Sequence, residues 1–198
     1  MAGRPREFDR NEALAKARDA FWSHGYEGTS INDLVAALGL ASSRIYAAFG
    51  TKEELFREAV LLYRDGEGGR AIKALQAGST VTEGIEQMLR VAIATYTQPG
   101  RPRGCMVVIA AANCSADNAS VMNWLAGHRR ARTQAIFDRL QKGVEDGELP
   151  PLADVAALAD YFSALMSGFS TQARDGVSRG KLLAVIPMAM RVLREQQH

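Results

Sequence analysis

The sequence predicts an all-α chain, with a three-helix head containing a helix-turn-helix followed by a larger helical body. Three observations predict it. Asp9 with Glu12, Ser30 with Asp33 and Thr51 with Glu54 each place a capping side chain three residues ahead of a carboxylate, the pattern of a helix N-terminus. Gly25, Gly39 and Gly50 stand where the apolar runs behind those caps stop. Beyond residue 65, apolar residues recur at helical spacing in long segments, with a break at "GELPP".

The first helix carries Leu14, Ala17 and Phe21 on one face and ends at Gly25. The second runs from Ser30 with Ile31, Leu34, Val35 and Leu38 apolar, and ends at Gly39. A short third helix must lie between Gly39 and Gly50, with Ile45 and Phe49 turned inward at i and i+4. Helix, glycine turn and short helix make a helix-turn-helix. With Ile45 and Phe49 inside, Ser42, Ser43, Arg44, Ala47 and Ala48 fall on the outer surface or its margins. Such small side chains allow close approach, and the major groove of B-form DNA admits a helix of this size. A fourth helix starts at Thr51 and links the head, residues 1–50 with an arm at 1–8, to a body over 51–198.

In the body, "TVTEGIEQMLRVAIATYT" (80–97), "RGCMVVIAAANC" (103–114) and the segment 120–144 read as helices, the second buried on all sides. In the next, Val155, Leu158, Phe162, Leu165 and Phe169 form an amphipathic stripe that suits a core or an interface. Pro187 falls inside the last helix, where it removes a donor and crowds the carbonyl of Leu183, so a kink is expected there without a break.

At 198 residues and 47% hydrophobic the chain can bury a full core, and its net charge of +2 says nothing about partners. The longest mostly apolar stretch free of charge, 104–116, is 13 residues, against about 20 for a membrane span. Arg4, Arg6, Glu7, Asp9 and Arg10 precede any apolar run, unlike a secretory leader, which makes the cytoplasm the expected location. Cys105 and Cys114 make neither a disulfide framework nor a metal-ligand spacing, and no cofactor or metal is expected.

Residues 3–63, "GRPREFDRNEALAKARDAFWSHGYEGTSINDLVAALGLASSRIYAAFGTKEELFREAVLLY", resemble the DNA-binding domain of the TetR family of bacterial transcriptional repressors. The resemblance lies in "F…HGYEGTS", the "LGL" turn and "IYAAFGTKEELF", correctly spaced. It implies a homodimer whose first three helices bind a double-stranded DNA operator and whose remaining helices bind a small-molecule effector. It further implies pairing of the last two long helices, about 152–174 and 178–195, with their mates. Position by position, it makes Ser42, Ser43 and Arg44 candidates for base edges, and Ala47 and Ala48 candidates for thymine methyls. Tyr46 and Lys52 match phosphate-binding positions, and Thr29, Ser30 and Asn32 are further backbone or base candidates. Arg44 is the first choice for sequence reading, because a guanidinium can bond guanine O6 and N7 together. Where the family often has a capping residue this chain has Ala41, so the third helix starts there or at Ser42, and the reading face rotates accordingly.

Residues 1–64 hold nine Lys and Arg against nine Asp and Glu, so the head is neutral. Phosphate affinity must then come from placement: the "GRPR" arm with Arg4 and Arg6, which suits a minor groove, helix N-termini, and Lys52. In the body, Met88, Tyr96, Met106, Trp124 and Phe137 are the candidate ligand-binding side chains, and no buried charge stands out, which favours an apolar or aromatic ligand. Cys105, after Arg101 and Arg103 in "PGRPRGCM", joins them as a candidate redox or electrophile sensor. An enzyme is the rival class, with Cys105 and His128 as a thiol and its base, yet nothing in the sequence places the two together. A DNA-architectural protein without an effector is a third, and about 130 residues of further helix argue against it.

Overall fold

The computed structural model describes residues 8–110 and 114–195; Arg4 and Arg6 of the arm lie outside them. Among the described residues there are eleven α-helices and no strand. The head comprises α1 (Arg10–His24), α2 (Ile31–Leu38) and α3 (Ser42–Phe49). The long α4 (Lys52–Asp65) packs along α1 and leads to α5 (Arg70–Ala77) and α6 (Val81–Tyr96). The rest of the body is α7 (Met106–Ile109), α8 (Ala119–Glu145), α9 (Val155–Arg174), α10 (Arg179–Leu183) and α11 (Ile186–Glu195). No helix among the described residues is long and apolar enough to cross a membrane.

Local chemistry explains the starts of the head helices. Ser30 and Thr51 each close a full capping box with Asp33 and Glu54. Those hydrogen bonds hold both carboxyls below their usual titration range. At α1 the expected box is only half made: Asp9 accepts from the amides of Asn11 and Glu12, while Glu12 pairs with Lys16 at 2.7 Å.

Two body expectations are corrected. The helix expected over 103–114 is helical only at Met106–Ile109 among the described residues. Gly104 breaks it at φ +84°, a left-handed conformation that favours glycine, and a Cβ there would lie 2.8 Å from the carbonyl of Ser170. The last helix is broken, not kinked, because a turn at Ala184 and Val185 separates α10 from α11. Pro187 sits in the first turn of α11, where its missing N–H costs no intrahelical bond. Finally, α5 was not foreseen; it lies against α6, close enough that a Cβ on Gly84 would meet the Leu75 carbonyl at 2.5 Å.

One continuous apolar core runs from Ala13 in the head to Leu193 in the last helix. At the join, the fully buried Trp22 of α1 packs edge-on against Tyr63 of α4, with ring centroids 4.7 Å apart. Its indole Nε1 donates to the Gly104 carbonyl at 3.1 Å, and the next amide, Cys105 N, donates to Ser170 Oγ at 2.8 Å. Head, α4, the loop before α7 and α9 are thereby held around one point.

Candidate nucleic-acid interface and an interior cavity

Ile45 and Phe49 are buried, which turns Ser42, Ser43, Tyr46 and Ala47 to the exposed face of α3. Tyr46 is 48% exposed, high for so large a ring. The helix starts at Ser42, and Ala41 precedes it without a side-chain cap, which settles the rotation of this face. Ala48 lies at its margin, half-buried, its carbonyl accepting from Arg10 Nε. Arg44 is half-buried, and its guanidinium carbon lies 5.6 Å from the Phe8 ring, so it leans toward the start of α1.

Around α3 the structure sorts the remaining candidates. Asn32 is exposed on the first turn of α2. Ser30 is exposed but committed to its cap: its hydroxyl donates to Asp33 Oδ2 and accepts from Asp33 N. Thr29 is a correction, because it is fully buried and its hydroxyl donates to the Gly25 carbonyl at 2.7 Å. It tethers the α1–α2 link and offers DNA no side chain. Lys52 Nζ is held 4.5 Å from the Tyr26 ring centroid. Burial pulls its pKa down while Glu27 and Asp33 push the other way. The result is a positioned cation at the start of α4.

The body encloses a cavity of about 380 Å³ bounded by α4, α5, α6 and α8. Of the six ligand candidates, Tyr96 and Cys105 line it. Met88 and Met106 do not; both are fully buried in the core. Trp124 does not either, since its ring is occupied by Phe56, His128 and the Arg57 guanidinium. Phe137 is half-buried against the core outside the cavity.

The wall residues missed in the sequence include Tyr63, Arg129 and Arg132. The run "HRRAR" at 128–132 carried the available signal, because His128 with Arg132 and Arg129 with Arg132 share one face of α8 at i+4 and i+3. The prediction of an apolar cavity without charge is therefore corrected. The reasoning about Cys105 is corrected as well. Arg101 turns away to Asp19 and Glu67, and Arg103 donates to the Val177 carbonyl. His128 and Cys105 do line the same cavity, and burial, with Arg64 and Arg57 nearby, pulls the imidazole pKa down.

Comparison with known proteins decides what such a head and body belong to. The description "Bacterial regulatory proteins, tetR family" matches residues 13–59, and "Tetracyclin repressor-like, C-terminal domain" matches 82–176. The HTH-type transcriptional repressor ComR of Escherichia coli K12 is 34% identical over 191 residues, covering 96% of this chain and 91% of that protein. This chain belongs to the TetR family. A second relative, the HTH-type transcriptional repressor BdcR of E. coli K12, is 29% identical over 189 residues, 96% of this chain and 91% of BdcR. Among solved structures, a cysteine mutant of the TetR family regulator CifR, complexed with 26-bp double-strand operator DNA, superposes with a TM-score of 0.91 at 38% identity. That match covers 96% of this chain and 98% of the other. The TetR assignment thus spans both the helix-turn-helix and the body that holds the cavity.

Proposed function

We propose that this TetR family chain is a transcriptional repressor that binds a near-palindromic operator as a homodimer and is released when a small molecule fills the body cavity. The outward face of α3 carries the reading, because it is built from Ser42, Ser43, Tyr46 and Ala47 on a chain so similar to one solved on operator DNA. Arg44 and Asn32 flank that face, with Lys52 and the arm arginines Arg4 and Arg6 on phosphates. The cavity lies against the C-terminal end of α4, the helix whose other end follows α3, so a ligand there acts on the element that carries the head. For the dimer, α9 and the turn into α11 leave Tyr161, Val185 and Met188 exposed, side chains that a second copy would cover. Such a protein works in the cytoplasm as a non-enzymatic regulator.

Footprinting on the DNA flanking its own gene is expected to show a protected inverted repeat, with half-sites about one or more helical turns apart. Random protection without any inverted repeat would overturn the reading.

A thiol switch is the second reading, favoured by one observation: Cys105 lines the cavity, whereas Cys114 lies in a separate cleft beside His24 and Tyr26. Iodoacetamide is expected to release operator DNA from the wild type and from Cys114→Ser, and to leave Cys105→Ser bound. Release that is unchanged in Cys105→Ser excludes the switch.

A further inference from the structure

Among the described residues the cavity wall carries four positively charged side chains and no negative one. Arg64 comes from α4, Lys73 from α5, and Arg129 and Arg132 from α8, and no aspartate or glutamate lines the space. None of the four forms an ion pair among the described residues, although Arg18, Arg57, Arg90, Arg101 and Arg139 each reach a carboxylate elsewhere in the chain. Like charges gathered around a partly enclosed space repel, and burial together with Arg132 already pulls the pKa of Arg129 down.

A second observation is independent of charge. Among the described residues three buried side-chain atoms, Tyr63 OH, His128 Nε2 and Arg132 Nε, have no well-formed hydrogen bond. All three residues line this cavity. Tyr63 is only 1% exposed, and burial, with Cys105 and Tyr96 beside it, pushes its pKa well up, so its hydroxyl stays protonated with only the Cys105 thiol, a weak acceptor, to donate to. Arg132 is held rigidly by its Nη2, which donates to the carbonyl and hydroxyl of Ser163 and to Ser167 Oγ; its Nε is left over. Unsatisfied buried donors are costly, and an acceptor that brings negative charge would satisfy the donors and the excess charge together.

Resting on the reading of this cavity as the effector site, we propose that the effector is a small organic oxyanion. Its acid group sits between Arg132 and the Tyr63 hydroxyl, and its apolar remainder lies against Ala71, Ile72 and Met166. A volume of about 380 Å³ is at the small end of ligand sites, which suits a compact acid better than a large cofactor.

Thermal unfolding with shape-matched probes tests this: benzoate against benzamide, hexanoate against hexanamide, and phenyl phosphate against phenol. The anions are expected to raise the midpoint by about 4 °C or more near saturation, and their neutral partners to leave it in place. Tyr63→Phe is expected to weaken the anions about tenfold, and Arg132→Gln to abolish their effect. Should Arg132→Gln unfold through its lost serine bonds, Lys73→Gln at the exposed rim supplies the second variant, expected to bind anions more weakly with a smaller salt dependence. Neutral probes that stabilise as well as the anions, or anions that all fail at millimolar concentration, overturn the proposal. Operator release is read in parallel. Anions that bind without releasing DNA leave the oxyanion site standing and overturn the release mechanism. Neutral probes that release DNA where anions do not overturn the oxyanion site alone.

Discussion

Trp22→Ala is expected to destabilise the protein by about 3–5 kcal/mol, measured by urea unfolding. The indole is fully buried, stacked edge-on to Tyr63, and hydrogen-bonded to the Gly104 carbonyl, so its removal opens a cavity and orphans an acceptor. Trp22→Phe separates the two contributions. It keeps most of the ring and loses the donor, and is expected to cost about 1–3 kcal/mol. Trp124, the second of the chain's two tryptophans, supplies the fluorescence signal in both variants. A loss under about 1 kcal/mol for Trp22→Ala would contradict the packing described at the head–body join.

Arg44→Ala is expected to lose about 1–3 kcal/mol of discrimination at one base pair per half-site, while Lys52→Ala weakens every sequence alike and lowers the salt slope by about 1 per contact. The structure sharpens the contrast. Arg44 rests near the Phe8 ring, a contact worth about 0.5–1 kcal/mol at an exposed site, less than a bidentate contact to guanine is expected to supply. Lys52 is already held over Tyr26 and is expected to meet a phosphate as a point charge. Competition binding against operator variants and random DNA at several salt concentrations measures both. Equal weakening of specific and random DNA by the two variants would make Arg44 a phosphate contact.

What could be read from the residues follows the range of the forces involved. Ser30 with Asp33 and Thr51 with Glu54 were legible because a capping box closes within four residues. The start of α3 at Ser42 needed the coordinates, since Ala41 supplies no side-chain signal. α5 escaped notice for a similar reason: Gly69 precedes it without a side-chain bond. The apolar run after Cys105 has no period to distinguish a helix from a buried turn, and the left-handed Gly104 with its close contact to Ser170 is a tertiary fact. The charged wall of the cavity was missed for a third reason. Charges in "HRRAR" look solvated in sequence, and only the packing of α8 against α9 shows Arg132 bonded to Ser163 and Ser167. Conversely, Arg101 and Arg103 neighbour Cys105 in sequence, but Asp19, Glu67 and Val177 claim their guanidiniums.

The stack of Trp22 on Tyr63 has a thermodynamic consequence. Tyr63 lines the cavity, and Trp22 belongs to the first helix of the head, so one buried pair of rings joins the proposed effector site to the head. A ligand that moves the pair against DNA must, by reciprocity, be bound less tightly by the factor through which it weakens the operator complex. Operator copies then set the dose at which the regulator responds: adding decoy operators to a cell would shift the half-maximal ligand concentration upward, and free protein in a cuvette would report a more sensitive sensor than the chromosome experiences.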